Sequence, residues 1–130
     1  MKKRIFYHDT DCGGVVYHAN YLKFLEEART EYLENLGLSV KGMLDDLGIM
    51  FVVRRQEMEY KRPARYDDTV DIATTVTEVS PVRLRFSYEL RNQKDEFLAR
   101  GSTDLVSVGA DFKLREMPAD LLARIPPPAK

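Results

Sequence analysis

The sequence predicts an α+β domain in which one long helix covers one face of a single antiparallel sheet. Three observations predict it. A helical period is sustained over one long stretch only, residues 21–36. A strand period of two runs through most of residues 49–108. The 130 residues suit one domain, 1–130, at roughly 100–200 residues per domain, so helix and sheet must share one core.

Arg4-Ile5-Phe6-Tyr7 is a short β-prone run, and a polar, glycine-containing loop follows from His8 to Gly14. Tyr21, Leu22, Leu25, Ala28, Tyr32, Leu33 and Leu36 then recur at helical steps, with Lys23, Glu27, Glu31 and Glu34 largely off that face. Gly37 suits the left-handed position that stops a helix. A shorter helix is expected from Ser39 to Leu47, ended by Gly48. The period then changes. Ile49 to Lys61 reads as a strand that Pro63 interrupts, and Arg65-Tyr66-Asp67-Asp68 reads as a turn. Val70, Ile72, Thr74 and Val76 alternate with Asp71, Ala73, Thr75 and Thr77. From Pro81, Val82, Leu84, Phe86, Tyr88 and Leu90 alternate with Arg83, Arg85, Ser87, Glu89 and Arg91, the signature of a half-buried strand. Asn92 to Asp95 connects it to a return strand from Phe97 to Val108. Pro118 to Ile125 predicts a closing helical turn, and residues 126–130 an extended C-terminal tail. The polar face of the 82–91 strand must meet solvent or a partner.

Hydrophobic residues make up 44% and charged residues 32%, which argues against disorder. A net charge of −1 argues against a chain-wide basic surface for nucleic acid. The single cysteine, Cys12, excludes an intramolecular disulfide. No long apolar segment follows the basic Met1–Arg4, and no run approaches the ~20 residues of a membrane span. The expectation is a cytoplasmic protein with no membrane span. A chain this small limits the depth of any pocket, so a large ligand would call for a second subunit.

Both histidines, the only cysteine and two aspartates fall between Tyr7 and Tyr21. This loop leads into the long helix, whose first N–H groups lack intrahelical partners and carry the positive end of the dipole. Four readings compete. Asp9 and Asp11 can form Asx turns and cap the helix. His8, Asp9, Asp11 and His18 can ligate a metal, although their spacing matches no ligand motif. Cys12 and His18 can form a nucleophilic pair, although a lone cysteine is usually inert packing. A carboxylate beside the helix end can carry out acyl transfer, with backbone N–H groups stabilising the oxyanion and Gly13 and Gly14 allowing close approach.

Arg4-Ile5, Thr10-Asp11, Gly14-Val15-Val16, His18 and Tyr21, at these spacings, resemble the active-site signature of the 4-hydroxybenzoyl-CoA thioesterase family. More narrowly, Tyr7-x-Asp9-Thr10-Asp11-x-Gly13-Gly14-Val15-Val16-Tyr17-His18 resembles its Tol–Pal-associated bacterial acyl-CoA thioesterase branch. Tyr60-Lys61-Arg62-Pro63-Ala64-Arg65-Tyr66-Asp67-Asp68 resembles that branch's turn between sheet strands.

The resemblance implies the hotdog fold, an antiparallel sheet wrapped around a central helix. It implies a homodimer with interfacial sites, paired into a homotetramer. It implies hydrolysis of acyl-CoA to free acid and CoA with no metal or other cofactor, since CoA is part of the substrate. The catalytic carboxylate falls on Asp11, and the N–H that polarises the thioester carbonyl falls on His18. Tyr7, Gly14, Val15 and Tyr17 are the substrate-binding candidates of the loop. CoA carries phosphates, which a net charge of −1 does not attract in bulk, so placed cations are needed. Arg62 and Arg83 are the candidates, within the groups Lys61, Arg62, Arg65 and Arg83, Arg85. Met43, Leu47, Met50, Phe51 and Met58 are candidates for the acyl pocket, or plain core. The alternative function is a non-catalytic acyl-CoA or acyl-carrier-protein binding module, an adaptor of a cell-envelope complex.

Overall fold

A computed structural model describes residues 1–126 of the protein. Five strands form one antiparallel sheet: β1 (Lys2–Arg4), β2 (Met50–Tyr60), β3 (Thr69–Ser80), β4 (Arg83–Arg91) and β5 (Phe97–Val108). Their order across the sheet is β1-β3-β4-β5-β2. The helices are α1 (Asn20–Asn35), a short α2 (Val40–Gly42) continued by a π turn at Met43–Leu47, and α3 (Ala119–Arg124). The tail expected over 126–130 lies, beyond Pro126, outside the described residues. No helix among the described residues is long and apolar enough to cross a membrane.

The core lies between α1 and the sheet. Tyr21, Phe24, Leu25, Ala28 and Leu33 are buried on α1, facing the alternate residues Leu84, Phe86, Tyr88 and Leu90 of β4 and Val70, Ile72 and Val76 of β3. Period 3.6 on one partner and period two on the other create two apolar faces that stay out of water only together. α1 stops as expected. The Leu38 N–H donates to the Leu33 carbonyl and the Gly37 N–H to the Glu34 carbonyl, both at 2.9 Å. Gly37 is at φ +83°, and buried Leu38 and Leu33 close the cap. Of the acyl-pocket candidates, Met43 is buried in this core, and Leu47, Phe51 and Met58 pack against it.

The structure departs from the sequence expectation in two places. The β-prone run 4–7 is a strand over Lys2–Arg4 instead, followed by a 3-10 turn at Tyr7–Asp9. The Asp9 carboxylate captures the Phe6 N–H at 2.9 Å and turns the chain. The strands are consecutive in sequence but not all in space, because β2 pairs with β5 rather than β3. The Pro63 segment between β2 and β3 makes no hairpin. It crosses the end of the sheet and leaves β2 on the edge.

Candidate active site

That end of the sheet is where the loop before α1 lies. Asp9 is 6% exposed. Its carbonyl accepts the Tyr17 N–H at 3.1 Å and Asn20 Nδ2 at 2.9 Å. Asp9 therefore ties the start of the loop to the first residue of the helix. Residues 10–16 form a tight fold-back between these ties. Thr10 pairs with Val16, and Val15 with Arg65. The Asp11 N–H donates to the Val15 carbonyl at 2.9 Å, and the Val16 N–H to the Ala64 carbonyl at 2.9 Å. Gly14, at φ +78°, supplies the left-handed step that an L side chain resists.

At the tip of this fold-back, Asp11 is exposed. Its Oδ1 accepts the Gly13 N–H at 2.8 Å, an Asx turn. Its Oδ2 has no partner among the described residues. One oxygen is thus anchored and the other is available to attack a carbonyl or to take a proton from water. Neither aspartate caps α1 with its side chain, since Ala19 holds the cap position without any side-chain bond.

The lead-in to α1 is a tight turn. Asn20, Tyr21 and Leu22 donate to the carbonyls of Tyr17, His18 and Ala19 at 2.9, 3.4 and 3.2 Å. These bonds span three residues rather than four, so they begin at Asn20 and leave the N–H groups of His18 and Ala19 without an acceptor among the described residues. No acidic residue sits in the first turn of this 16-residue helix. The positive end of its dipole is therefore not neutralised by the chain's own carboxylates there. Two backbone donors at such a position suit a developing oxyanion.

A cleft of about 240 Å³ opens beside them, lined by Val16, His18, Tyr21, Tyr60, Lys61, Arg62 and Pro63. Tyr21 accepts the Ala64 N–H on its hydroxyl at 3.0 Å. Tyr60 donates to the His18 carbonyl at 3.2 Å and meets the Tyr21 ring edge-on at 5.2 Å. Burial raises the pKa of both phenols above the ordinary tyrosine value, partly offset for Tyr21 by the Ala64 bond. Both remain protonated at neutral pH. The sequence placed Tyr60 only at the head of the Tyr60–Asp68 turn motif and gave it no role in the site. Its period marks it as strand, and only the fold sets its hydroxyl against His18.

Other candidates separate. His18 and Arg62 share the cleft, but Arg62 Nη1 is also 2.8 Å from Glu96 Oε2. Tyr7 is 80% exposed, with its ring edge-on to Tyr66. The Tyr17 and His18 rings lie 4.5 Å apart. Arg83 lies at the far end of β4, opposite Ser80 and Val106. That is roughly 26 Å along the strand from Arg91, at ~3.3 Å per residue, and Arg91 is the end nearer the loop. Arg83 therefore does not reach His18 within one chain. Its expected companion Arg85 is held by Asp104 and Glu78. The opposed pairs of the sheet set which arginines are committed, and one-chain spacing does not reveal this. Cys12 is exposed. Among the described residues no three His, Cys, Asp or Glu side chains are grouped as a metal site.

The sequence profile of the thioesterase superfamily matches residues 13–99. The chain belongs to this superfamily. Among thioesterase relatives, it is 37% identical over 121 residues to the acyl-CoA thioester hydrolase YbgC of Escherichia coli O157:H7, covering 92% of this chain and 90% of that protein. A crystal structure of a hypothetical protein from Aquifex aeolicus superposes with a TM-score of 0.90 at 30% identity, over 97% of this chain and 98% of that one. The fold is that of 4-hydroxybenzoyl CoA thioesterase. A mutant of that enzyme complexed with 4-hydroxybenzoyl CoA gives a TM-score of 0.88 at 21% identity, over 97% of this chain and 96% of that one. The hotdog architecture expected from the loop motif is thus the one the thioesterase chain adopts.

Proposed function

We propose that the protein hydrolyses acyl-CoA thioesters, with Asp11 as the reacting carboxylate and the His18 N–H as the donor to the thioester oxygen. The observation that carries this reading is the loop geometry. A carboxylate with one free oxygen at the tip of the 10–16 fold-back and two unsatisfied N–H groups just after it belong to one loop, whose two ends Asp9 ties together. Membership of the thioesterase superfamily and the likeness to YbgC supply the substrate class.

A thioester is an activated carbonyl compound, so this equipment is sufficient. In one route Asp11 attacks the carbonyl carbon, the C–S bond breaks, CoA leaves as thiolate, and water hydrolyses the mixed anhydride to regenerate the carboxylate. In the other, Asp11 takes a proton from water as the water oxygen attacks, the C–S bond breaks, and the proton passes to the departing CoA thiolate. Both consume one water and release the acid and CoA. Both develop negative charge on the oxygen facing His18, and one such donor is typically worth ~10²–10³ in turnover. Neither route needs a metal.

We further propose that the working unit is at least a homodimer joined along β2. This strand is paired on one side only, and Val53 and Tyr60 are about half exposed on it. Long edges of this kind are normally covered. Arg55 and Glu57 pair with each other within the chain, and a two-fold axis near Gln56 would set this pair against the partner's with each charge opposite its counter-charge, a self-complementary register. The same antiparallel arrangement runs the partner's Arg83 end alongside this chain's Tyr60 end. Arg83 would then serve CoA phosphates from across the interface.

The test is Asp11→Asn, assayed against short, long and aromatic acyl-CoAs with EDTA present throughout. The wild type is expected to release free CoA despite the chelator, and the variant to lose at least a hundredfold in kcat while folding normally. Turnover within a few-fold of wild type would overturn the mechanism. CoA esters bound by the wild type without release of thiol would make the protein a non-catalytic binding module instead.

A further inference from the structure

We infer that Tyr60 is a positioning residue for this reaction: its hydroxyl, donated to the His18 carbonyl, fixes the turn that presents the His18 and Ala19 N–H groups to the thioester oxygen. The inference rests on the hydrolase reading of the site and extends it to a residue on a different element.

The turn is weakly held by its own backbone. The His18 carbonyl accepts the Tyr21 N–H at 3.4 Å, near the limit of a useful bond. Tyr60, arriving from the end of β2, adds a second donor to the same oxygen at 3.2 Å. Its ring is set by edge-on contact with Tyr21, and Tyr21 is itself anchored to Ala64. The chain of contacts therefore runs from the buried start of the helix, through two rings, to the peptide at the cleft. The bond also has an electronic consequence. His18 C=O and Ala19 N–H belong to one peptide unit. A proton donated to the carbonyl draws electron density from the nitrogen and makes Ala19 N–H the stronger donor. The phenol is suited to the task, since a tyrosine hydroxyl is protonated at neutral pH and desolvation raises its pKa further.

Tyr60→Phe keeps the ring and its contact with Tyr21 and deletes only the hydroxyl. Wild type, Tyr60→Phe and Asp11→Asn are compared on butyryl-, palmitoyl- and benzoyl-CoA. On the substrate turned over fastest, Tyr60→Phe is expected to lower kcat roughly 5- to 15-fold, the contribution of about one hydrogen bond. KM is expected to stay within twofold and the melting temperature to be little changed. A second measurement reads the carbonyl directly. Benzoyl-CoA with a ¹³C thioester carbonyl is bound to Asp11→Asn and to Asp11→Asn/Tyr60→Phe, and its C=O stretch is recorded. The downshift on binding is expected to be smaller without the hydroxyl. A kcat within twofold of wild type, a loss confined to KM, or equal downshifts would overturn the inference. Turnover lost in Asp11→Asn but kept in Tyr60→Phe overturns the role of Tyr60 alone. Turnover kept in Asp11→Asn overturns the reading of the site beneath it.

Discussion

Arg85 on β4 meets Asp104 on β5 in a fork, with Nε 2.5 Å from Oδ1 and Nη2 3.0 Å from Oδ2. Asp104 is 6% exposed. The hydrogen bonds from Arg85, ahead of its charge, hold the Asp104 carboxyl below the ordinary aspartate pKa, against the opposing effect of desolvation. A depressed folded-state pKa means that the unfolded chain binds the proton more readily. The pair's stabilisation is therefore complete above the unfolded value of about 3.9 and is lost as the pH falls through the lower folded value. Asp104→Asn is expected to cost about 1–3 kcal/mol at pH 7. The gap in melting temperature from wild type should shrink on acidification to pH 3 at constant ionic strength. An equal gap at both pH values would contradict this account. The same pair explains why Arg85 is committed to the sheet rather than to a ligand. Alternation along one strand places Arg83 and Arg85 on one face. It does not say which of them has a carboxylate directly opposite.

Among the elements, β5 and β2 carry the least expected pairing. Met58 lies opposite Gly101 and Tyr60 opposite Ala99. Gly101 is the close point of that ladder. A Cβ there would meet Met58 Sδ, and would come within 2.8 Å of the Glu57 carbonyl oxygen and 3.5 Å of Leu25 Cδ1 on α1. A thioether can swing aside, but a strand carbonyl cannot. Gly101→Ala is expected to destabilise by about 1–3 kcal/mol, measured as a lower urea midpoint. An unchanged midpoint would mean that the strands separate more easily than the register implies. The consequence reaches the cleft, because Tyr60 closes the same ladder. The helix α1 was legible to its cap, since periodicity and Gly37 are local signals. The pairing of β2 with β5 was not, because a strand's period records its faces and not its neighbour.

At the scale of the whole molecule, one chain supplies Asp11, the free N–H groups and a shallow cleft, but leaves Arg83 at the other end of the sheet. Pairing along β2 would resolve that mismatch, and the alternating charges of Arg55 and Glu57 make the edge its own complement. The wild type is expected to sediment as a dimer or a multiple of one. Arg55→Glu should weaken the assembly by placing like charges across the axis, and Arg55→Glu/Glu57→Arg should restore it. A fully active monomer would remove the need for a second subunit. Dissociation that the charge swap fails to restore would place the interface elsewhere.

The sequence by itself determined most of the elements and singled out the loop proposed to carry the chemistry. Periods of 3.6 and two, with glycines at the stops, are written in neighbouring residues. So is the Tyr7–Tyr21 loop, whose spacing fixes Asp11 seven residues before His18. The tertiary structure alone decided the order β1-β3-β4-β5-β2, the contact of Tyr60 with His18, and which arginines are already paired. Each of these joins residues far apart in the chain. Whether such residues meet depends on how the sheet closes over the helix to bury their shared apolar faces, a property of the whole core that no local pattern records.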